Sequence, residues 1–195
     1  MTLAVPISLT QFWAFVVLAL VFFAFLIRAA RRRGKEDVSK TDGRSRLGII
    51  LQSVGIGLAG FGGARPTLAP LSVGGLLGTA AVTVLMGCAI GLFAASSTAL
   101  GRNWSLVART RSDHVLVRHG PYAYIRHPIY LGMLFFLLGL AAALGHWLQL
   151  IVAVPVFLAG TIIRMSIEDG LLERSFEDKF RAYRRSTPAL FPKLF

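Results

Sequence analysis

The chain has 195 residues, is 55% hydrophobic and only 15% charged, well below the roughly one-quarter charged residues of a soluble domain. Its apolar residues lie in continuous runs that match a hydrocarbon core of ~30 Å, which takes about 20 helical residues, and this excludes the alternating pattern of a strand barrel. The net charge of +12 would suit nucleic acid, but no separate basic domain carries it, and the one cysteine, Cys88, allows no intrachain disulfide and reads as a small buried residue.

Leu9 to Ile27 is the first expected span. No positive n-region precedes it and no small-residue cleavage site follows, so it reads as a retained helix. A polar stretch from Arg28 to Arg46 leads to a short, glycine-rich second span, Leu47 to Ala64. Pro66 and Pro70 mark a turn. Leu71 to Leu100 is the third span, long enough to tilt. A polar interval from Gly101 to Pro128 precedes the fourth, Ile129 to Leu144. Gly145-His146 turns the chain into the fifth, Trp147 to Ile163, where Pro155 is tolerable as a kink. Beyond it, Ile167, Leu171, Leu172, Phe176, Phe180 and Tyr183 share one helical face, and Pro188 ends an amphipathic helix.

The expected fold class is an all-α polytopic membrane protein of one domain, residues 1–195. Three N-terminal spans occupy 1–100, and a cytoplasmic loop, helix hairpin and C-terminal amphipathic helix occupy 101–195. Basic residues number eight in 28–46, five in 101–128 and seven from Arg164 onward, against Arg65 alone on the opposite side. The positive-inside rule then places the N-terminus outside and the three basic segments in the cytoplasm, next to anionic membrane lipid rather than nucleic acid.

Gly55-Ile56-Gly57-Leu58-Ala59-Gly60 matches the dinucleotide-binding G-x-G-x-x-G. That pattern needs a strand before it and a helix after it. Inside an apolar span, Gly55, Ala59 and Gly63, like Gly87 and Gly91, instead read as small residues that let membrane helices pack closely, within one chain or between chains. His114, His119 and His127 lack i,i+4 spacing and have no cysteine beside them, so no metal site is expected.

Arg126-His127-Pro128-Ile129-Tyr130-Leu131-Gly132 opens the fourth span. The run reads equally as an interfacial anchor, with a snorkelling Arg and a belt Tyr, or as a site whose guanidinium takes a carboxylate. Arg164 and Glu168, followed by Asp169 and Glu173, form a second cluster at the exit of the fifth span. It can be an i,i+4 ion pair or a ligand contact. Because only Gly145-His146 separates spans four and five, their cytoplasmic ends should meet and bring Arg126-His127 to Arg164-Glu168, with 101–128 as a lid.

On these residues the chain resembles the isoprenylcysteine carboxyl methyltransferase family, which is related to membrane phospholipid methyltransferases. The resemblance covers about residues 100–195 and rests on a combination of motifs rather than one. It is carried by Asn103-Trp104-Ser105, His114-Val115-Leu116-Val117, Gly120 with Tyr122, Arg126-His127-Pro128 with Tyr130, Arg164, Glu168-Asp169, Leu171-Leu172, Phe176, Tyr183 and Phe191-Pro192-Lys193. The first three spans match in topology only. Departures are Gly170, where the family tends to continue with acidic residues, and Val107, where some members carry glutamine.

The resemblance implies S-adenosyl-L-methionine as cofactor, in a pocket lined by His114, Leu116, Val117, Gly120, Tyr122, Arg126, His127, Pro128, Tyr130 and Glu168. It implies Arg164 and Arg126 as catalytic residues, with Arg164 facing the substrate carboxylate. A lipophilic, prenylated acceptor would enter from the bilayer. Other acceptors stay open — a phospholipid amine, a thiol or an isoprenoid phenol — as does a non-catalytic lipid-binding protein.

Overall fold

The computed structural model describes residues 4–32, 43–101 and 115–191. Among them are five α-helices and one pair of very short strands: β1 (Pro6–Ser8), α1 (Leu9–Arg31), α2 (Gly43–Gly60), β2 (Arg65–Leu68), α3 (Val73–Leu100), α4 (Pro128–Leu144) and α5 (Leu150–Ser186). A 3-10 turn at Gly120–Ala123 precedes α4. The ends follow local chemistry. Ser8 and Ser72 cap α1 and α3 by accepting from the backbone N–H of Gln11 and Gly75. Pro128 opens α4, where its missing N–H costs nothing.

Helices α1, α3 and α5 are each long and apolar enough to cross a membrane, whereas α2 and α4 are shorter apolar helices. The 17 residues of α4 span only about 25 Å at the helical rise. Most of α4 is buried by its neighbours, so it is a helix packed inside the bundle as much as an apolar rod. It lies mainly on α3, which also carries α1, while α5 lies mainly on α2. Within a bilayer, burying hydrocarbon gains little, and close packing does more of the holding. Phe22 accordingly stacks against Phe93 and Phe136, and Phe157 is buried beside Ala59 and Leu137.

The small residues divide by partner. A methyl group added at Gly55 would sit 2.8 Å from Phe157 Cβ, and one at Gly160 would sit 2.6 Å from the carbonyl oxygen of Gly48. Gly55, Ala59, Gly48 and Gly160 thus bring α2 and α5 into backbone contact. A methyl group added at Gly63, Gly87 or Gly91 would meet no neighbouring segment within 4 Å among the described residues. Cys88, expected to be buried, is exposed: it lies on the same outward side of α3 as Gly87.

One end of the bundle is closed by backbone hydrogen bonds. The two strands run parallel, with Pro6 opposite Arg65 and Ser8 opposite Leu68. The Val5 N–H donates to the Gly145 carbonyl at 2.9 Å. Gly145 ends α4 at φ 73°, and an added Cβ would come within 2.1 Å of the Val5 oxygen, so glycine is required there twice over.

The expected separate C-terminal helix is instead the continuation of α5. The helix runs unbroken past Arg164 and then breaks at Glu177 (φ 45°, ψ −119°). The break reverses direction. The Arg126 guanidinium touches both Asp169 and the carbonyl of Arg184, which a straight helix would hold about 22 Å apart. Glu173 correspondingly meets Arg181 and Arg184 at 3.0 and 3.4 Å. The apolar face read from Ile167 to Tyr183 is real, and it folds inward, with Phe180 and Tyr183 buried.

Candidate functional site

Three backbone segments meet at the other end of the bundle. The N–H groups of Arg126 and His127 donate to the carbonyls of Pro188 and Ala189 at 2.9 and 3.0 Å, so the chain after α5 lies along the entry to α4. Leu190 packs beside Ile125 and Tyr130. The Tyr183 hydroxyl donates to the Tyr122 carbonyl at 2.6 Å, tying the returning arm of α5 to the 3-10 turn.

The charged side chains gather inside this frame. Asp169 accepts from Arg126 Nη2 and pairs with His127 Nε2, each at 3.0 Å. His127 Nδ1 lies 3.5 Å from Glu168 Oε2. The Tyr130 hydroxyl donates to Glu168 Oε1, and Arg164 Nη2 stands 3.7 Å from the same oxygen. The Arg164 guanidinium also lies over the Tyr130 ring, 5.1 Å from its centre. Arg126 spends its other nitrogen on the carbonyls of Thr187 (2.7 Å) and Arg184 (3.1 Å), which are the unpaired acceptors at the end of α5.

Two carboxylates and three basic groups therefore share one buried spot, and their ionisation is coupled. Burial favours neutral His127, but the hydrogen bonds it donates to Asp169 and Glu168 outweigh it and raise its pKa above the ordinary value. Burial also pushes Glu168 and Asp169 up. His127, with Arg164 beside Glu168 and Arg126 beside Asp169, reverses this and leaves both below the usual range. Burial raises the Tyr183 hydroxyl to about 12, so it remains a donor.

The Glu168 side chain is 27% exposed, against 11% for Asp169 and 5% for His127. Glu168 is thus the most open carboxylate, held from behind by Tyr130 and His127. The buried Arg126 Nε has no hydrogen-bond partner among the described residues. A partly open carboxylate with fixed donors around it is the donor set that suits a ligand bearing hydroxyl and ammonium groups. A cleft of about 330 Å³ lies between the 3-10 turn and the returning arm of α5, lined by Arg118, Ala123, Ala182, Tyr183, Ser186 and Thr187.

Of the residues read from sequence, Arg126, His127, Tyr130, Arg164 and Glu168 come together, and the buried Pro128 starts α4, which carries Tyr130. Tyr122 is buried at the rim, and Gly120 (φ 61°) approaches Ala99 of α3. Leu116 and Val117 are half-buried on the extended stretch before it. His114, Asn103-Trp104-Ser105 and Val107 lie outside the described residues. Asp169 has a larger share in the network than its mention beside Glu168 suggested. Gln52 was missed altogether, although an amide alone among apolar neighbours on α2 is a visible signal.

Residues 70–179 match the family model described as phospholipid methyltransferase. The chain is 34% identical over 94 residues to a protein-S-isoprenylcysteine O-methyltransferase of Schizosaccharomyces pombe, covering 47% of this chain and 40% of that protein. It is 35% identical over 109 residues to the cobalt-zinc-cadmium resistance protein CzcN of Cupriavidus metallidurans, covering 54% and 49%. It is 30% identical over 94 residues to the protein-S-isoprenylcysteine O-methyltransferase of Saccharomyces cerevisiae, covering 47% and 39%. The aligned stretches span half or less of these relatives' own lengths.

Proposed function

This chain belongs to the phospholipid methyltransferase family, and from that premise we propose that it is an integral membrane methyltransferase that uses S-adenosylmethionine. Its acceptor is lipophilic, with the carboxylate of an isoprenylcysteine-like molecule as the first choice. All five helices enter the membrane, α5 by its apolar stretch before Arg164; the first strand faces outside and the charged end faces the cytoplasm, in keeping with the distribution of Lys and Arg. The observation that carries the reading is the meeting of Arg126-His127-Tyr130 with Glu168-Asp169 beside Arg164.

Glu168 would take the cofactor's hydroxyl or ammonium groups, held in place by Tyr130 and His127. His114, Leu116, Val117, Gly120, Tyr122 and Pro128 would complete the pocket wall, as the family resemblance implies. When bound, S-adenosylmethionine supplies a methyl group activated on a sulfonium. An ionised carboxylate is already a nucleophile, so no general base is required. The protein's part is alignment, which by itself can lower the barrier by about 7–11 kcal/mol. Arg164 would hold the acceptor's carboxylate from the membrane side, and Arg126 would keep Asp169 and the end of α5 in register. Such a frame also excludes water from the reacting pair.

Isothermal titration with S-adenosylhomocysteine tests this. Binding to the purified protein is expected, with Glu168→Ala weakening it about tenfold, the loss of one charge-assisted contact. Undetectable binding at millimolar ligand would sink the proposal. The family description itself favours a phospholipid amine as the second acceptor class. Labelled methyl donor incubated with a total lipid extract and with a prenylated cysteine separates the two.

A further inference from the structure

Arg164 is buried, and one of the groups that fix it comes from a helix outside the stretch that carries the family match. Residues 70–179 define that match, whereas α2 precedes them. Gln52 of α2 is 1% exposed and accepts from Arg164 Nη1 at 3.2 Å through its side-chain oxygen. Its amide nitrogen donates to Thr161 Oγ1 at 2.9 Å. A guanidinium only donates, so the oxygen must face Arg164 and the nitrogen must face Thr161. Gly48 and Gly160 make the approach possible, since a methyl at Gly160 would lie 2.9 Å from the Gln52 backbone nitrogen and one at Gly48 2.5 Å from Arg164 Cγ.

The polarity of this arrangement matters. Gln52 satisfies a guanidinium nitrogen without cancelling its charge, while Glu168, shared with Tyr130 and His127, stands 3.7 Å from the other nitrogen. Gln52 thus orients the cation through a neutral oxygen and adds no negative charge beside it. Resting on the carboxylate reading above, we infer that Gln52 is a positioning residue that sets acceptor specificity: it holds Arg164 turned toward the site without setting a negative charge against it, so that an acidic acceptor head is preferred over a neutral one. The first half of the chain then contributes to selection as well as to anchoring.

The test compares N-acetyl-S-farnesylcysteine with its methyl ester, as ligands for the detergent-solubilised full-length protein. Gln52→Glu sets a second carboxylate against Arg164 and cancels its charge. Affinity for the acid is expected to fall about tenfold or more, while affinity for the ester and for S-adenosylhomocysteine stays within about twofold. Thr161→Val keeps the volume and releases the Gln52 amide, with an expected loss of acid binding of about threefold. An unchanged acid-to-ester ratio in Gln52→Glu, or an equal loss of all three ligands, overturns the inference. Should Gln52→Glu fail to fold, the ratio in Thr161→Val decides. Acid and ester binding alike in the unmutated protein would instead defeat the carboxylate-acceptor reading, a different failure seen before any substitution is made.

Discussion

His127 is the residue on which the charged cluster balances, because it touches both carboxylates. Its raised pKa means that its pairing is fully present below the unfolded value, about 6.5, and is lost as pH rises through the folded value. Asp169 and Glu168 are shifted down, so their share is present above about pH 4 and is lost as pH falls through their folded values. The cluster is therefore most cohesive between those limits. Thermal unfolding in detergent across pH should show a stability maximum there, and His127→Asn should flatten the alkaline limb and weaken the acid one as well, because His127 helps hold both carboxylates low. An alkaline limb unchanged by His127→Asn would assign it to another group. Asp169→Ala leaves the buried Arg126 without its carboxylate and His127 with Glu168 alone, and a loss of about 3–5 kcal/mol is expected. A loss below about 1 kcal/mol would mean that the pair is solvated.

Helix packing and helix breaks set the next scale. Gly160→Ala forces a methyl against the Gly48 oxygen and Leu51, and should destabilise by about 1–3 kcal/mol through overpacking. Gly87→Ala, facing open space, should be nearly neutral, and a matched pair of melting curves distinguishes them. Glu177 holds a positive φ that a side chain resists. Glu177→Gly should gain about 1 kcal/mol without changing S-adenosylhomocysteine affinity; a loss would show that the Glu177 side chain matters more than its backbone. Much of this scale was legible in the sequence. Apolar run lengths gave all five helices, and Gly145-His146 gave the hairpin that joins the two charged clusters. The reversal at Glu177 was not legible, since no glycine or proline marks it and the apolar face continues through it. Nor was the α2–α5 contact: the glycines announced close packing but could not say which helix would occupy it. The same gap hid Gln52, whose role exists only once Gly48 and Gly160 have met.

For the whole molecule, the claim with the widest reach is which end faces which compartment. Leu71 is 86% exposed beside the strand end, and the Asp178 side chain is 92% exposed at the charged end. In a Cys88→Ser background, a membrane-impermeant maleimide should label Leu71→Cys in intact cells and Asp178→Cys only after permeabilisation. The reverse pattern would invert the orientation, and labelling of both in intact cells would put the two ends on one side. The clasp between Val5 and Gly145 carries a consequence for biosynthesis. Val5 emerges from the ribosome early, yet its amide has no native acceptor until the turn after α4 has been made. Until then the segment before α1 is held by the pairing of β1 with β2, and the knot is drawn by almost the last helix to arrive.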